Sequence, residues 1–235
     1  MVGGANEFVR GQSDDALSPT GRFVTAQLES LKRKGCNILV TGNVPPEVSF
    51  HATRNLFGDD QCERSRQRIL ACTDLHPPGN HYLWTGYESE PKLISSAGLQ
   101  RSISRLPSPR GIAAADLDWI SEFQMQICEA IAEADATTDG LDPSQLRMSV
   151  MTLRPTIETV THEETDRFLR VLTHLVEGVS GMAHYHLPVD DEDELVTRHA
   201  DHFDIRIELR NREHVPPESR WHFPDCGKAT RWHQL

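Results

Sequence analysis

The sequence predicts an α/β fold: a three-layer αβα domain built on a mostly parallel sheet with antiparallel closing strands. Three observations carry this. Short apolar runs of strand length alternate with longer segments of helical period, the signature of βαβ units. Turn chemistry (Gly35, Gly42 to Pro46, Gly58, Gly178) falls between them. One run near the C-terminus alternates strictly between apolar and charged residues, as a half-exposed strand does. Helices interleaved with strands must cover both faces of the sheet, and at 235 residues one large domain suffices. A chain of this size buries roughly 70% of its unfolded surface and needs no disulfides for a core.

Residues 1–16 are polar, without periodicity, and are expected to be a flexible leader, leaving 17–235 as a single domain. They lack the basic-then-apolar order of a signal peptide. Ser18-Pro19 opens a helix that runs to Lys34, with Phe23, Leu28 and Leu31 as its apolar side and Gly35 as its stop. Cys36 to Thr41 is the first strand, Gly42 to Pro46 a turn, and Val48 to Phe57 a helix closed by Gly58. Arg68 to Thr73 is the second strand, ending at Asp74 and the breaker His76-Pro77-Pro78-Gly79. Tyr82-Leu83-Trp84 and Leu93-Ile94 are candidate short strands before the breakers Pro107 and Pro109.

Ala113 to Ala134 is a helix, with Leu117, Ile120, Ile127 and Ile131 at helical spacing, and residues 135–144 form a polar loop. Leu146 to Leu153 is the third strand. Thr161 and Glu164 stand as a capping box ahead of a helix with Phe168, Val171, Leu172, Leu175 and Val176 on one face, ended by Gly178. Gly181 to Leu187 is the fourth strand, and the acidic run Asp190 to Glu194 is a solvated loop and helix start. Asp204 to Arg210 places Ile205, Ile207 and Leu209 on one face and suggests an antiparallel edge; Arg220 to Phe223 and Thr230 to His233 are further strands.

The 24 Lys+Arg against 35 Asp+Glu give a net charge of −11, concentrated in residues 111–235, and 20 of the basic residues are Arg. An acidic surface argues against general nucleic-acid binding, which needs cations to neutralise phosphates. Few Lys with many carboxylates suits a salt-adapted cytoplasm, although a GC-rich genome also favours Arg. No run of 18 apolar residues exists, so membrane insertion is not expected. Cys36, Cys62, Cys72, Cys128 and Cys226 show no C-x-x-C spacing, and Cys36 and Cys72 read as buried small hydrophobes of a reducing compartment.

Ligands of such folds gather at the carboxyl ends of the strands. There the first strand leads through Gly42-Asn43-Val44-Pro45-Pro46-Glu47-Val48-Ser49 into a helix. Against the phosphate-loop pattern G-x-x-x-x-G-K-[ST], Gly42 and Ser49 remain, Glu47 replaces the second Gly and Val48 replaces the Lys. Pro45 and Pro46 supply no N–H to an anion. Glu47 favours its own helix start but would repel a triphosphate.

The order of Asn37-Ile-Leu-Val-Thr-Gly42, Arg68-Ile-Leu-Ala-Cys-Thr-Asp74 and Arg147-Met-Ser-Val-Met-Thr-Leu-Arg-Pro155 resembles the RecA/KaiC-type ATPase core. More closely, it resembles a degenerate, ATPase-derived group of KaiC-like proteins from halophilic archaea, over roughly residues 20–235. The resemblance implies a vestigial nucleotide site at Gly42, Ser49 and Thr152. It also implies loss of the metal-organising Asp, whose position holds Met151. With the phosphate-binding Lys and that Asp both replaced, phosphoryl transfer is not expected, since it depends on positioning and charge neutralisation. The expected function is therefore a non-catalytic, cytoplasmic KaiC-like regulatory or interaction domain without cofactor, metal or catalytic residues. Its partner would be a protein, such as an intact ATPase relative or a signalling or transcription regulator.

Two alternatives stay open. One is an atypical nucleotide-binding regulator using Ser49, Thr152 and Arg154. The other is a metal-dependent hydrolase at His184 and His186, which share a strand face, joined by His199, His202, Asp201 or Asp204. His184 and His186 equally suit a polar strand end, or the family's phosphate-sensing position. Asp74 reads as a turn residue before a base, and no G-x-S-x-G elbow occurs. Lys32-Arg33-Lys34 offsets a helix dipole, whereas Arg64-Ser-Arg-Gln-Arg68 offers a surface for an acidic partner. Trp221, Trp232 and Phe223, with Tyr82, Trp84 and Tyr87, read as core or edge cover before interface.

The salt reading has a direct check. Repulsion among the excess carboxylates weakens as the Debye length falls from about 10 Å at 0.1 M to about 3 Å at 1 M. The melting temperature should therefore climb steadily from 0.1 to about 3 M KCl; a flat or falling curve removes the salt-adapted reading.

Overall fold

The six-residue runs that read as strands do so because they are apolar on both sides. Cys36–Thr41 (β1), Leu146–Met151 (β4) and Met182–Leu187 (β5) are buried at every position, as strands covered by helices on both faces must be. The computed structural model describes residues 19–58, 65–73, 90–96 and 113–235. The expected leader, the segment from Asp74 through Tyr82, Trp84 and Tyr87, the prolines 107 and 109, Cys62 and Arg64 all lie outside the described residues.

The described strands form one sheet in the order β3-β2-β4-β5-β1-β6-β7-β8, with β9 also on β7. Here β2 is Gln67–Cys72, β3 Lys92–Ser95, β6 Ile205–Arg210, β7 Glu218–Phe223, β8 Lys228–Ala229 and β9 His233–Gln234. Pairing is parallel from β3 to β6 and antiparallel from β6 onward. This is the mostly parallel α/β sheet with antiparallel closing strands that the sequence predicts.

The helices are α1 (Pro19–Lys34), α2 (Pro46–Phe57), α3 (Ala113–Thr137), α4 (Arg154–Thr159), α5 (His162–Gly178) and α6 (Glu194–His199). The α5 start carries the capping box in full: Thr161 accepts from the Glu164 amide, and Glu164 accepts from the Thr161 amide. Several boundaries and one strand direction depart from the sequence reading. Helix α2 begins at Pro46, because a proline in the first turn gives up an amide that would have had no partner. Strand β4 stops at Met151, and Arg154-Pro155 opens the short α4 by the same logic. Helix α3 continues to Thr137, into the expected loop. Finally, β6 is not the antiparallel edge; it pairs parallel with β1, and the reversal comes at β7. Strict alternation reports a strand buried on one side and is silent on direction.

The two faces of the sheet differ in character. Toward α3 and α5 the strands present Leu39, Ile69, Ala71, Met148, Val150, Ala183, Tyr185 and Leu187, packed with Phe123, Ile127, Phe168 and Leu172. Toward α1 and α2 the flank is apolar (Ile38, Val40, Ile205, Ile207, with Val48, Ala52 and Leu56 of α2). Its centre is polar: Arg68, Arg147, Ser149, His184 and His186 are all buried there.

One buried polar residue ties the layers together. Asn37, in the middle of an apolar run, donates its side-chain amide to the Thr173 carbonyl (3.2 Å) and Glu177 Oε1 (3.3 Å) of α5. It accepts from the Tyr185 hydroxyl of β5 at 3.2 Å. Its backbone exchanges bonds with Asp204, N–H to Oδ2 at 2.8 Å and carbonyl from the Asp204 amide at 2.9 Å. An Asn37→Ala variant leaves the Tyr185 hydroxyl buried without its partner and removes the side-chain bonds to α5. Unsatisfied groups of this kind cost about 1–3 kcal/mol each. The urea midpoint should fall by an amount equal to about 1–3 kcal/mol; an unchanged midpoint would show that Asn37 is not a tie.

Candidate functional site

The loop at the carboxyl end of β1 is held by its neighbours on both sides. The Gly42 amide donates to the Val189 carbonyl at 2.8 Å, and the Thr41 hydroxyl donates to Asp191 Oδ1 at 2.6 Å. Gly42 has φ +118°, and a Cβ there would lie 2.2 Å from the Leu209 carbonyl oxygen. The glycine that the resemblance assigns to phosphate binding is therefore required by the close passage of β6, whatever the loop binds.

Within the loop the Val44 amide donates to the Gly42 carbonyl (3.0 Å) and the Val48 amide to the Pro45 carbonyl (3.0 Å). Pro45 and Pro46 bring no N–H. Glu47 is exposed in the first turn of α2, where a carboxylate favours the helix. Ser49 is 8% exposed and faces inward with α2. Its carbonyl accepts from the Thr53 hydroxyl at 3.0 Å.

Beneath α2 lie the two strand histidines. His184 and His186 do share a face, with ring centroids 5.4 Å apart, and Phe57 packs edge-on to His184 at 5.4 Å. Thr53 Oγ1 lies 2.9 Å from His186 Nε2. With the Thr53 proton given to the Ser49 carbonyl, Nε2–H of a neutral His186 is the donor. Burial pushes His186 down to about 3. Burial, and after it the unfavourable proximity of His186 and Arg147 to a second positive charge, holds His184 well below the ordinary histidine range. His184 Nε2 and Ser149 Oγ, on paired positions of β5 and β4, are buried without hydrogen-bond partners.

Met151, at the position where the resemblance expects the metal-organising Asp, packs with Phe57, Leu70 and Cys72. The Met151–Thr152 peptide is cis. The Thr152 hydroxyl donates to the His186 carbonyl at 3.0 Å, and the Leu153 amide donates to the same carbonyl at 2.7 Å. Arg154, the candidate relocated cation, is exposed and donates to Glu158 at 2.6 Å. The crevice thus brings Gly42, Ser49, Thr152, His184 and His186 into one region, where the Gly42 amide, the Thr152 hydroxyl and the His186 ring are bonded to the protein's own groups and His184 Nε2 is not.

His199, His202 and Asp204 do not join His184 and His186. Asp204 serves Asn37, while His199 and His202 stand with Asp166 of α5. Among the described residues, neither His184 nor His186 belongs to a group of three metal-ligating side chains. The acidic run is not uniformly solvated either. Asp193 caps α6 through the Leu195 amide, and Asp191 is nearly buried between Thr41 and the Arg206 guanidinium at 2.9 Å. Sequence reasoning missed Asp191 because its partners lie on β1 and β6. Phe223 is buried, Trp221 packs on the α2-side core, and Trp232 lies under the Arg210 guanidinium at 3.7 Å. These tail aromatics cover the closing strands.

The buried histidines carry a pH signature. Both are depressed below their unfolded value of about 6.5, so the unfolded chain takes up protons first as pH falls. Stability is full above about pH 6.5 and is lost toward lower pH. Between pH 7 and 5 the unfolding free energy should drop by roughly 2 kcal/mol per histidine, and His186→Gln should flatten the slope. A pH-independent denaturation midpoint over that range would mean that the histidines are not buried as neutral groups.

Comparison with functionally curated proteins gives no match. Among solved structures, the KaiC-like protein PH0186 from the hyperthermophilic archaeon Pyrococcus horikoshii OT3 is similar at 12% identity, with a TM-score of 0.48. The alignment covers 81% of this chain and 79% of that one. A likeness at that level concerns the course of the chain and not its chemistry. The model of the family of unknown function DUF7504 matches residues 35–209, from the residue before β1 to Leu209 in β6, and the chain belongs to that family.

Proposed function

We propose that this protein is a KaiC-like regulatory domain that acts in a salt-adapted cytoplasm by binding another protein, and that it does not turn over nucleoside triphosphates. The observation that supports this most directly is the β1–α2 loop. A phosphate loop works by aiming consecutive backbone amides at an anion, with a cation beside them. In this loop two of the positions are prolines, two amides are spent on the loop's own carbonyls, and the charge at the helix start is Glu47. Met151 is a core residue, unable to organise Mg²⁺.

The nucleotide-binding alternative draws less support. It requires Ser49, which is buried, Thr152, whose hydroxyl is given to the His186 carbonyl, and Arg154, which is paired with Glu158. An intact ATPase relative or a signalling or transcription regulator is the partner class consistent with a fold retained without its phosphate machinery.

Each missing charge-assisted contact is worth about 1.5–3 kcal/mol. Three such losses move a micromolar site beyond millimolar. Titration with ATP or GTP and Mg²⁺ should show no saturable binding below about 1 mM, and no hydrolysis above a buffer blank. Val48→Lys should restore neither, because Glu47, the prolines and Met151 remain. Micromolar binding by the wild-type chain would overturn this reading and make Arg154 the first residue to mutate.

A further inference from the structure

The face of the sheet away from α2 carries a second constellation. Three histidines surround one carboxylate where the start of α5 meets the end of α6 and the 3₁₀ turn Ala200–His202. The capping box fixes the first turn of α5, so His162 and Asp166, four residues apart, share one side of that helix. His162 Nε2 lies 3.4 Å from Asp166 Oδ2. His199 Nδ1 lies 3.4 Å from Asp166 Oδ1, and His202 Nε2 hydrogen-bonds that same oxygen at 3.1 Å.

We propose that His162, Asp166 and His199 form a binding site for a divalent transition-metal ion of the zinc class, with His202 orienting Asp166. The geometry supports this in several ways. The ligand atoms of the three residues all lie within 4.8 Å of one another. His162 Nε2 and His199 Nδ1 each lie 3.4 Å from the carboxylate, the first from Oδ2 and the second from Oδ1, so the two imidazoles flank it from either side. His199 is 1% exposed, and its Nδ1 is buried without a hydrogen-bond partner while facing the carboxylate. A buried imidazole nitrogen in that position has a lone pair to offer once its proton sits on the other ring nitrogen.

Exposure is graded across the set: the side chains of His162, Asp166 and His199 are 52%, 26% and 1% accessible. An ion therefore has a path from solvent, and a bound ion keeps a coordination position toward it. Two imidazoles and one carboxylate select zinc, nickel, cobalt or iron over magnesium or calcium, which prefer all-oxygen shells. His202 bonding the ligating carboxylate is the outer-shell support that metal sites use to hold a ligand's orientation.

Among the described residues, the other group of three, Asp191, Glu208 and His222, is a poorer candidate. Asp191 there is already bonded to Thr41 and neutralised by Arg206.

This departs from the sequence expectation of no metal and from the pairing of His199 and His202 with His184 and His186. It is independent of the nucleotide reading, since it uses no residue of the β1–α2 crevice. The test is calorimetric titration of EDTA-dialysed full-length protein with ZnCl₂ at pH 7.5, with Co²⁺ absorption as a second readout of coordination. One equivalent should bind with micromolar or tighter affinity, more weakly at pH 5.5 because the imidazoles must be deprotonated. His162→Ala, at a half-exposed position, and Asp166→Asn should each weaken Zn²⁺ by at least about tenfold and change the Co²⁺ spectrum. His214→Ala, on the exposed β6–β7 loop, should leave both unchanged. The proposal is overturned by the absence of saturable Zn²⁺ binding, or by binding that His162→Ala and Asp166→Asn leave intact.

Discussion

The fold depends on a polar residue placed where an apolar one would seem natural. Asn37 sits at the second position of β1 and reaches α5, β5 and the start of β6 at once, through Thr173, Glu177, Tyr185 and Asp204. Apolar packing alone would let parallel strands slide by two residues with little change in buried area. A buried amide with directional partners on α5 and β5, on a residue whose backbone is bonded to Asp204, permits only one register. With β1 so fixed, Thr41 meets Asp191, Gly42 meets Leu209, and the β1–α2 loop takes its course.

The sheet's two faces divide the work between them. The α3/α5 side is almost wholly apolar and supplies most of the burial that holds the domain together. The α2 side places two arginines, two histidines and a serine beneath a short helix. Arg68 and Arg147 are tied there to the backbone at the end of α2, through Gly58 and Leu56. The region that the topology offers to ligands is thus occupied by groups that serve one another: Thr53 with His186, Thr152 with the His186 carbonyl, and Met151 with Phe57. His186 is the centre of this arrangement, its ring holding α2 and its carbonyl holding the chain after β4.

What the sequence made legible was local or periodic. The capping box at Thr161, the stops at Gly35 and Gly58, and the common face of His184 and His186 each follow from residues a few positions apart. The long-range partnerships were not legible. Asn37 reads as a blemish in an apolar run, since its partners lie more than 130 residues away. His199 and His202 lie near His184 and His186 in sequence, but the chain turns through α6 and brings them to α5. The signal that was present, a His and an Asp four apart after a capping residue and two histidines three apart later on, marks two helical faces without saying that they meet. The direction of β6 was hidden for a similar reason, because alternation encodes exposure alone.

The sheet order also bears on how the chain is made. β1 is among the first strands to leave the ribosome, yet both of its partners, β5 and β6, belong to the last quarter of the sequence. At about 5–20 residues per second, the segment Cys36–Thr41 waits roughly 7–30 s for the strand that covers one edge, and longer for the other. In that interval an apolar, β-branched segment with open hydrogen-bonding edges is available to other nascent chains. The β2–β4 pair closes earlier, so the nascent domain first offers a partial sheet with the position of β5 still open beside β4. Escape from aggregation during synthesis therefore rests on whatever shields β1 until the C-terminal strands arrive, and a holdase chaperone would find its binding segment there.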